Sequence, residues 1–257
     1  MEIIARALQR ARSTPQLNAI GGLPVQPERA ALMGDEQENA AVRLSPSTML
    51  AARIVAYDTN HMATRPYDVL RNQLQSLTQD DRSGLIAVTA PTVGCGTTTV
   101  AANLAFSFAR TPSANVLLVD ANAGASSIMA MMGFPLKGPP GKMERPELIL
   151  ADLGGMQVHV FCPGNSYEKT SGKSDAMQLM RRIDALRRAL NPTITILDLP
   201  PMLTTDESAA LASEAQAVVL LLAVGQTRLA ELEACRTYLG TKSNVQVVLN
   251  KCRKHGL

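Results

Sequence analysis

Short apolar runs that alternate with helical stretches constrain the fold of this chain more than any other feature. From Leu85 onward, six runs have the length and the β-branched or aliphatic composition of buried strands: 85–90, 115–120, 158–162, 193–198, 217–224 and 245–250. Helical stretches lie between them at 98–110, 174–190, 206–214 and 227–239. This alternation predicts an α/β fold, in which a parallel sheet is covered by helices on both faces. Ligands of such sheets bind at the carboxyl ends of the strands.

The residues before this alternation have a different character. Residues 2–12 (EIIARALQRAR) carry Ile4 and Leu8 on one helical face and arginines elsewhere, which predicts a short amphipathic helix. Such a helix is marginal alone, so it either packs on the main domain, frays, or docks on a partner or membrane surface. Residues 13–45 are rich in proline, glycine and acidic residues, as in a flexible linker. With two further helices at 47–56 and 66–78, we expect an N-terminal segment at 1–45 and one P-loop NTPase-like domain at 46–257.

Composition excludes several classes of protein. No stretch reaches 18 apolar residues, and the N-terminus has no long apolar segment, so neither a membrane span nor a signal peptide is expected. Only 3% of residues are aromatic, and none is tryptophan, which argues against base stacking on single-stranded nucleic acid. The four cysteines are far apart and form no CxxC pair: Cys95, Cys162, Cys235 and Cys252. We expect a cytoplasmic protein with reduced thiols and no nucleic-acid partner.

The segment PTVGCGTTT (91–99) follows a predicted strand and opens a predicted helix, which is the context of a phosphate-binding loop. Gly94 and Gly96 allow a tight turn and a close approach of the backbone to a ligand. The helix that follows directs free N–H groups toward that ligand. The loop therefore predicts nucleotide binding by Gly94, Gly96, Thr97, Thr98 and Thr99, with the hydroxyl of Thr98 at the position that binds Mg²⁺.

The loop lacks the lysine that normally contacts the β- and γ-phosphates, because Thr97 occupies its position. Thr97 has neither the charge nor the reach of that lysine, so its presence predicts weak or lost binding of ATP and Mg²⁺. Two alternatives remain open. The segment is a Gly/Thr-rich turn without a ligand, or a lysine from elsewhere, such as Lys169, Lys173 or Lys251, takes over the role.

Two carboxylates stand at the ends of predicted strands. Asp120 ends VLLVD, and Asp198 ends TITILD, which is followed by LPP. Carboxylates at strand ends beside a phosphate loop suit Mg²⁺ and its waters. Alone, either residue reads as an ordinary helix cap or turn residue. Together with the loop, they predict Asp120 and Asp198 as remnant catalytic residues and, with Thr98, as the ligands of Mg²⁺.

These segments resemble the bacterial tyrosine kinases of capsule and exopolysaccharide synthesis, within the MinD/ParA class of P-loop ATPases. The resemblance covers residues 65–252 and rests on PTVGCGTTTVAANLA (91–105), LLVDAN (117–122) and ILDLPP (196–201). The closing VLN (248–250) is similar to the strand end at which Asn250 would face the adenine. The resemblance implies a P-loop fold, ATP and Mg²⁺ as ligands, and a place in polysaccharide synthesis.

The chain departs from the family pattern mainly where chemistry takes place. Thr97 replaces the phosphate lysine, Asn122 replaces the second aspartate of the family's second motif, and Gly124 replaces a basic residue that often follows it. Thr92 occupies the position of the signature lysine of the MinD/ParA branch. These departures predict impaired catalysis.

The motifs of assembly and autophosphorylation depart as well. The family's ring-assembly pattern E-x-x-R-x-x-R appears as Arg65, Asp68 and Arg71, with two of its three charges reversed. The final residues, KCRKHGL, contain no tyrosine cluster, and the tyrosines are scattered at Tyr57, Tyr67, Tyr167 and Tyr238. These departures from the family pattern predict a monomer or a hetero-complex, and no autophosphorylation.

The resemblance predicts a regulatory pseudokinase that docks on the cytoplasmic end of an inner-membrane polysaccharide co-polymerase and is peripheral to that membrane through this partner. Two alternatives stay open: a working ATPase or tyrosine autokinase with a relocated lysine, and a MinD/ParA-like positioning protein. A DNA-binding version of the latter would need a basic surface. RRIDALRR (181–188) offers only a small patch, which the solvated face of a helix explains more simply.

Overall fold

The computed structural model describes residues 41–78, 83–122, 128–134, 147–163, 173–240 and 244–252. The expected helix at 2–12 and the expected linker up to residue 40 lie outside the described residues. Residues 42–43 of the expected linker form a strand of the sheet. The division at residue 45 stays a prediction. No helix in the described part of the chain is both long and apolar enough to cross a membrane.

The described residues form strands and helices in alternation over most of the chain. The strands are β1 (Val42–Arg43), β2 (Gly84–Thr89), β3 (Val116–Asp120), β4 (Leu148–Leu153), β5 (Met156–Phe161), β6 (Ile194–Asp198), β7 (Ala217–Ala223) and β8 (Val245–Asn250). The helices are α1 (Pro46–Ala51), α2 (Arg65–Leu77), α3 (Thr97–Ala109), α4 (Ile128–Met131), α5 (Lys173–Leu190), α6 (Asp206–Glu214) and α7 (Leu229–Leu239).

All eight strands belong to one sheet, in the order β1-β4-β5-β3-β6-β2-β7-β8. Every neighbouring pair is parallel except β4 and β5. The strands β2, β3, β6 and β7 are buried along their whole length, as expected for strands covered on both faces. The expected α/β fold with a mostly parallel sheet is therefore confirmed.

One pair of neighbouring strands near the edge of the sheet is antiparallel. The strand β4, which sequence patterns did not indicate, pairs antiparallel with β5 across Gly154 and Gly155. Both glycines have positive φ (63° and 88°), as a two-residue hairpin connection requires. In β4, buried and half-buried residues alternate, which is the pattern of a strand near the edge of a sheet.

Helices cover the sheet on both faces, as predicted. One hydrophobic core contains residues of α1, α2, α3 and α4, and the other contains residues of α5, α6 and α7. The helix predicted at 47–56 is shorter, because α1 ends at Ala51 and the backbone turns at Arg53, whose φ is 60°. Residues 54–56 instead run against α3, where Ile54 and Ala56 are completely buried.

Candidate nucleotide-binding site

The loop between β2 and α3 has the geometry of an anion-binding turn. Gly94 and Gly96 have φ of 81° and 95°, and Gly96 is the residue before the first turn of α3. A Cβ at position 96 would lie 2.6 Å from Nδ2 of Asn250, so only glycine fits there. The first helical hydrogen bond of α3 is donated by the N–H of Val100 to the carbonyl of Gly96. The N–H groups of the first turn are therefore available to a ligand.

Three threonines form the first turn of α3, at the predicted nucleotide-binding positions. Thr97 and Thr98 are only 8% and 9% exposed, and Thr99 is half-buried. Thr97, at the position of the usual lysine, contributes a buried hydroxyl and no charge. The loop thus has the backbone conformation of a phosphate-binding loop but lacks the lysine that such loops usually contain.

The strand-end carboxylates of Asp120 and Asp198 lie side by side. Asp120 is the register partner of Asp198 in the parallel pair of β3 and β6, so both side chains are on the same face of the sheet. Both residues have zero exposed surface. Two carboxylates that are 78 residues apart in the sequence thus meet beside the first turn of α3.

Asp198 has no hydrogen-bond partner on either carboxylate oxygen. Burial raises the pKa of Asp198 well above its ordinary value; the nearby hydroxyls of Thr98 and Thr97 oppose this shift, and the charge of Asp120 adds to it. The two hydroxyls lie near the carboxylate, but neither of its oxygens has a hydrogen-bond partner. A buried, unpaired carboxyl group of this kind is costly unless a cation or a proton neutralises it.

Asp120 is partly satisfied. Its Oδ2 accepts a hydrogen bond from the N–H of Ile128 at 2.7 Å and lies 3.7 Å from the thiol of Cys162, while its Oδ1 has no partner. Burial raises the pKa of Asp120, although the N–H groups of Ile128 and Asn122 and the Cys162 thiol favour its charged form. The sequence did not indicate the contacts with Ile128 and Cys162, since both depend on how distant elements pack.

The unpaired oxygens of Asp120 and Asp198 fit a divalent cation. Together with the hydroxyl of Thr98 they form a compact set of oxygen donors, which is the ligand chemistry of Mg²⁺. Among the described residues, no group of three or more His, Cys, Asp or Glu side chains could hold a metal ion. A cation here would therefore need further ligands from phosphate oxygens and water, as is usual for Mg²⁺ at nucleotide sites.

Asn250, the residue predicted to face adenine, braces the loop. Its Nδ2 donates to the carbonyl of Cys95 at 2.8 Å, and its Oδ1 accepts the N–H of Lys251 at 2.8 Å. A second amide, Gln226, which the sequence did not single out, donates from Nε2 to the carbonyl of Val93 at 2.8 Å. Gln226 follows the end of β7 by three residues, so its place after a strand end was the one signal that could have identified it.

Asn103, in the AANLA segment, ties the loop helix to the chain before α2. Its Oδ1 accepts the N–H groups of Val55 and Ala56 at 2.8 and 3.0 Å. Its Nδ2 donates to the carbonyls of Arg53 and Thr99 at 2.9 and 2.8 Å. All its hydrogen-bonding capacity is used inside the domain, so Asn103 is a structural residue that holds α3 in place.

Two charged residues of α2, Asp68 and Arg71, are also engaged within the domain. The carboxylate of Asp68 pairs with Arg71 and Arg110 and accepts a hydrogen bond from Ser107. Arg71 also donates to the carbonyl of Ser107 at 2.9 Å. Since Ser107 and Arg110 belong to α3 and its end, this network fastens α2 to the loop helix.

No family model matches the chain. It is 29% identical over 172 residues to a protein of Ralstonia nicotianae provisionally named tyrosine-protein kinase EpsB, and this match covers 63% of the chain but only 22% of that protein. The chain therefore spans a small part of this curated relative.

Solved structures share the fold at lower identity. The kinase domain of the Escherichia coli tyrosine kinase Etk matches with a TM-score of 0.59 and 20% identity, over 79% of this chain and 81% of the other. The chimeric protein CapA2B2 matches with a TM-score of 0.59 and 17% identity, over 85% and 98%. The BceF tyrosine kinase domain matches with a TM-score of 0.56 and 19% identity, over 81% and 90%.

Proposed function

We propose that this chain, which resembles the bacterial tyrosine kinases in sequence and shares the fold of their kinase domains, is a regulatory pseudokinase of cell-surface polysaccharide synthesis and export. In this proposal it works in the cytoplasm, docked on the cytoplasmic end of an inner-membrane chain-length co-polymerase. The family motifs support the place in polysaccharide synthesis. The selective loss of catalytic groups supports a regulatory role.

One observation carries the proposal. The loop keeps its glycines, its helix N-terminus and the neighbouring pair Asp120 and Asp198, while the lysine position holds the buried, uncharged Thr97. A loop without this cation loses much of its stabilisation of the charge that develops on the transferred phosphoryl group. Asn122 removes a further carboxylate from the motif after β3. The arrangement favours the persistence of the fold without efficient catalysis.

ATP and Mg²⁺ remain possible ligands in this proposal, with weak affinity. The first turn of α3 would bind phosphate oxygens, and Thr98, Asp120 and Asp198 would hold the metal. Mg²⁺ would supply charge neutralisation for the phosphates. The chain's own contribution is the orientation of the phosphates by N–H groups and the exclusion of water around the two buried carboxylates.

Genetic complementation tests this proposal. The gene is deleted, and the chain-length distribution of the surface polysaccharide is measured with the wild-type gene or the double variant Asp120→Asn/Asp198→Asn restored. If the chain is a pseudokinase, both the wild-type gene and the double variant restore the distribution. The matched control is Glu214→Gln, which removes a charge at an exposed position of α6. An unchanged polysaccharide in the deletion strain contradicts the proposal. Failure of the folded double variant alone favours an active enzyme.

The second candidate function is an ATP-dependent tyrosine autokinase or ATPase with a relocated lysine. One contact favours it: Nζ of Lys251 lies 3.3 Å from Oε1 of Gln226, the residue that braces the phosphate loop. Lys169 lies outside the described residues, and so does the side chain of Lys173. Lys251 is thus the one named lysine that the structure locates, and it is near the loop.

A further inference from the structure

We infer that Lys251 is the residue that supplies positive charge to the nucleotide site in place of the lysine missing at Thr97. This inference rests on the proposed nucleotide site and deepens it, because it makes the remaining affinity for a phosphorylated nucleotide depend on a residue outside the loop.

Two amide side chains, Gln226 and Asn250, connect Lys251 to the loop. Gln226 accepts from Nζ of Lys251 at 3.3 Å and donates to the carbonyl of Val93 at 2.8 Å. Asn250 accepts from the backbone N–H of Lys251 and donates to the carbonyl of Cys95, both at 2.8 Å. Each amide therefore directs its oxygen to Lys251 and its NH₂ group to a loop carbonyl, so the position of Lys251 is coupled to that of the loop.

The backbone of Lys251 has a left-handed conformation that its neighbour stabilises. Its φ is 59°, in the left-handed region that a lysine rarely adopts. The hydrogen bond from its N–H to Asn250 holds this conformation. Because Lys251 directly follows β8, which is parallel to β7, it lies at the carboxyl end of the sheet, as do the loop, Asp120 and Asp198.

The loop itself offers no cation to a nucleotide phosphate. Thr97 adds no positive charge to the first turn of α3, so the backbone N–H groups are the loop's own contribution there. The side chain of Lys251 is exposed, and among the described residues its ammonium forms no ion pair. Its one contact, with an exposed amide, is easily exchanged for a phosphate oxygen, to which an ammonium on a flexible stem is well suited.

Nucleotide titration of matched variants tests the inference. Binding of Mg-ADP and Mg-ATP to the full chain is measured by calorimetry for the wild type, Lys251→Gln, Lys251→Arg, Thr97→Lys and the double variant Thr97→Lys/Lys251→Gln. Arg236→Gln, an exposed cation on α7, is the control for general charge. Circular dichroism and thermal denaturation without nucleotide verify that all variants fold alike.

The expected result is that Lys251→Gln weakens nucleotide binding by about tenfold or more, the effect of losing one charged contact to phosphate. Lys251→Arg and Arg236→Gln should bind like the wild type, and Thr97→Lys should restore binding in the Lys251→Gln background. A purely structural role of Lys251 would not be rescued by a cation placed at residue 97.

Three outcomes overturn the inference in distinguishable ways. Equal binding by the wild type and Lys251→Gln removes the role of Lys251 and leaves the nucleotide site intact. If Thr97→Lys binds nucleotide and the wild type does not, Lys251 does not replace the missing lysine. The proposed pseudokinase then functions without a bound nucleotide. Binding by neither removes both Lys251 and the nucleotide ligand, while the polysaccharide role is still decided by complementation.

Discussion

At the scale of single residues, the burial of Asp198 without a partner has a measurable consequence. In a protein free of Mg²⁺ and nucleotide, its carboxylate is unsolvated and unpaired, which is destabilising when it is charged. Because the pKa of Asp198 is raised in the folded state, protonation of this carboxyl group favours folding at low pH. This contribution to stability is lost as pH rises from the ordinary pKa of an aspartate through the raised pKa of the folded state.

We therefore predict that Asp198→Asn stabilises the magnesium-free protein at pH 8 by about 1–3 kcal/mol, and much less at pH 5. Urea denaturation at both pH values measures the difference, and Glu214→Gln, at an exposed position, should show none. Excess Mg²⁺ should reduce the gap, since a bound cation offsets the charge. A variant less stable than the wild type at both pH values would show that the carboxylate has a stabilising partner.

Thr97 leads to a second prediction at this scale. We expect Mg-ATP to bind with a dissociation constant weaker than about 1 μM, because the contacts left to the phosphates are backbone N–H groups and a flexible surface lysine. Isothermal titration calorimetry measures this constant. Sub-micromolar affinity would contradict the prediction and point to a stronger cation in the site than an exposed lysine.

At the scale of elements, the position of α3 depends on one side chain from the AANLA segment. Asn103 is completely buried and makes four hydrogen bonds to backbone groups, among them the N–H groups of Val55 and Ala56. Removing the side chain leaves those buried groups unpaired. Such a loss costs more than the mean value of a hydrogen bond.

We predict that Asn103→Ala destabilises the protein by about 2–4 kcal/mol and weakens any nucleotide binding, since the loop begins the helix that Asn103 holds. Urea denaturation gives the free energy of unfolding, and Gln73→Ala, an exposed amide position on α2, is the control. Equal stability of Asn103→Ala and the control would show that segment 53–56 does not depend on this contact.

At the scale of the whole molecule, the charges of α2 bear on assembly. The resemblance implies that this helix carries a ring-assembly motif, yet here Asp68 and Arg71 are paired with Ser107 and Arg110 of the same chain. Side chains that are engaged within the domain are less available to a neighbouring subunit.

We therefore predict that the isolated chain is a monomer. Light scattering coupled to gel filtration measures its mass, and Arg65→Glu, at an exposed position of α2, should leave the mass unchanged. A stable octamer would show that surfaces other than these charges assemble the ring. A hetero-complex with a membrane co-polymerase remains compatible with a monomeric chain.

For the whole chain, we expect no tyrosine autophosphorylation, because Thr97 and Asn122 impair phosphoryl transfer and the described tyrosines form no cluster. Tyr57 donates to the Pro46 carbonyl at 3.3 Å, and burial raises the pKa of Tyr67, whereas Tyr238 is 53% exposed on α7. Immunoblotting for phosphotyrosine after incubation with Mg-ATP tests this. A signal that disappears in Asp120→Ala would establish kinase activity.

Local patterns in the sequence predict six of the eight strands that the structure describes, and the kinds of residue at the site. Strand–helix alternation depends on side-chain periodicity within a few residues, so the six predicted strands and the α/β class follow from local patterns. Gly94 and Gly96 indicated the turn because the conformations it needs are favourable only for glycine. Asp120 and Asp198 could be placed at one edge, since the carboxyl ends of parallel strands coincide.

Which distant groups meet depends on how the strands and helices pack. Strand order and packing, which local periodicity does not encode, decide three features. These are the antiparallel pairing of β4 with β5, the neighbouring positions of Asp120 and Asp198, and the lack of a hydrogen-bond partner for Asp198. The brace from Gln226 to Val93 joins residues 133 positions apart. The relation of Lys251 to the loop emerges in the same way, because a surface lysine has no local pattern that distinguishes it until the chain has folded around its neighbours.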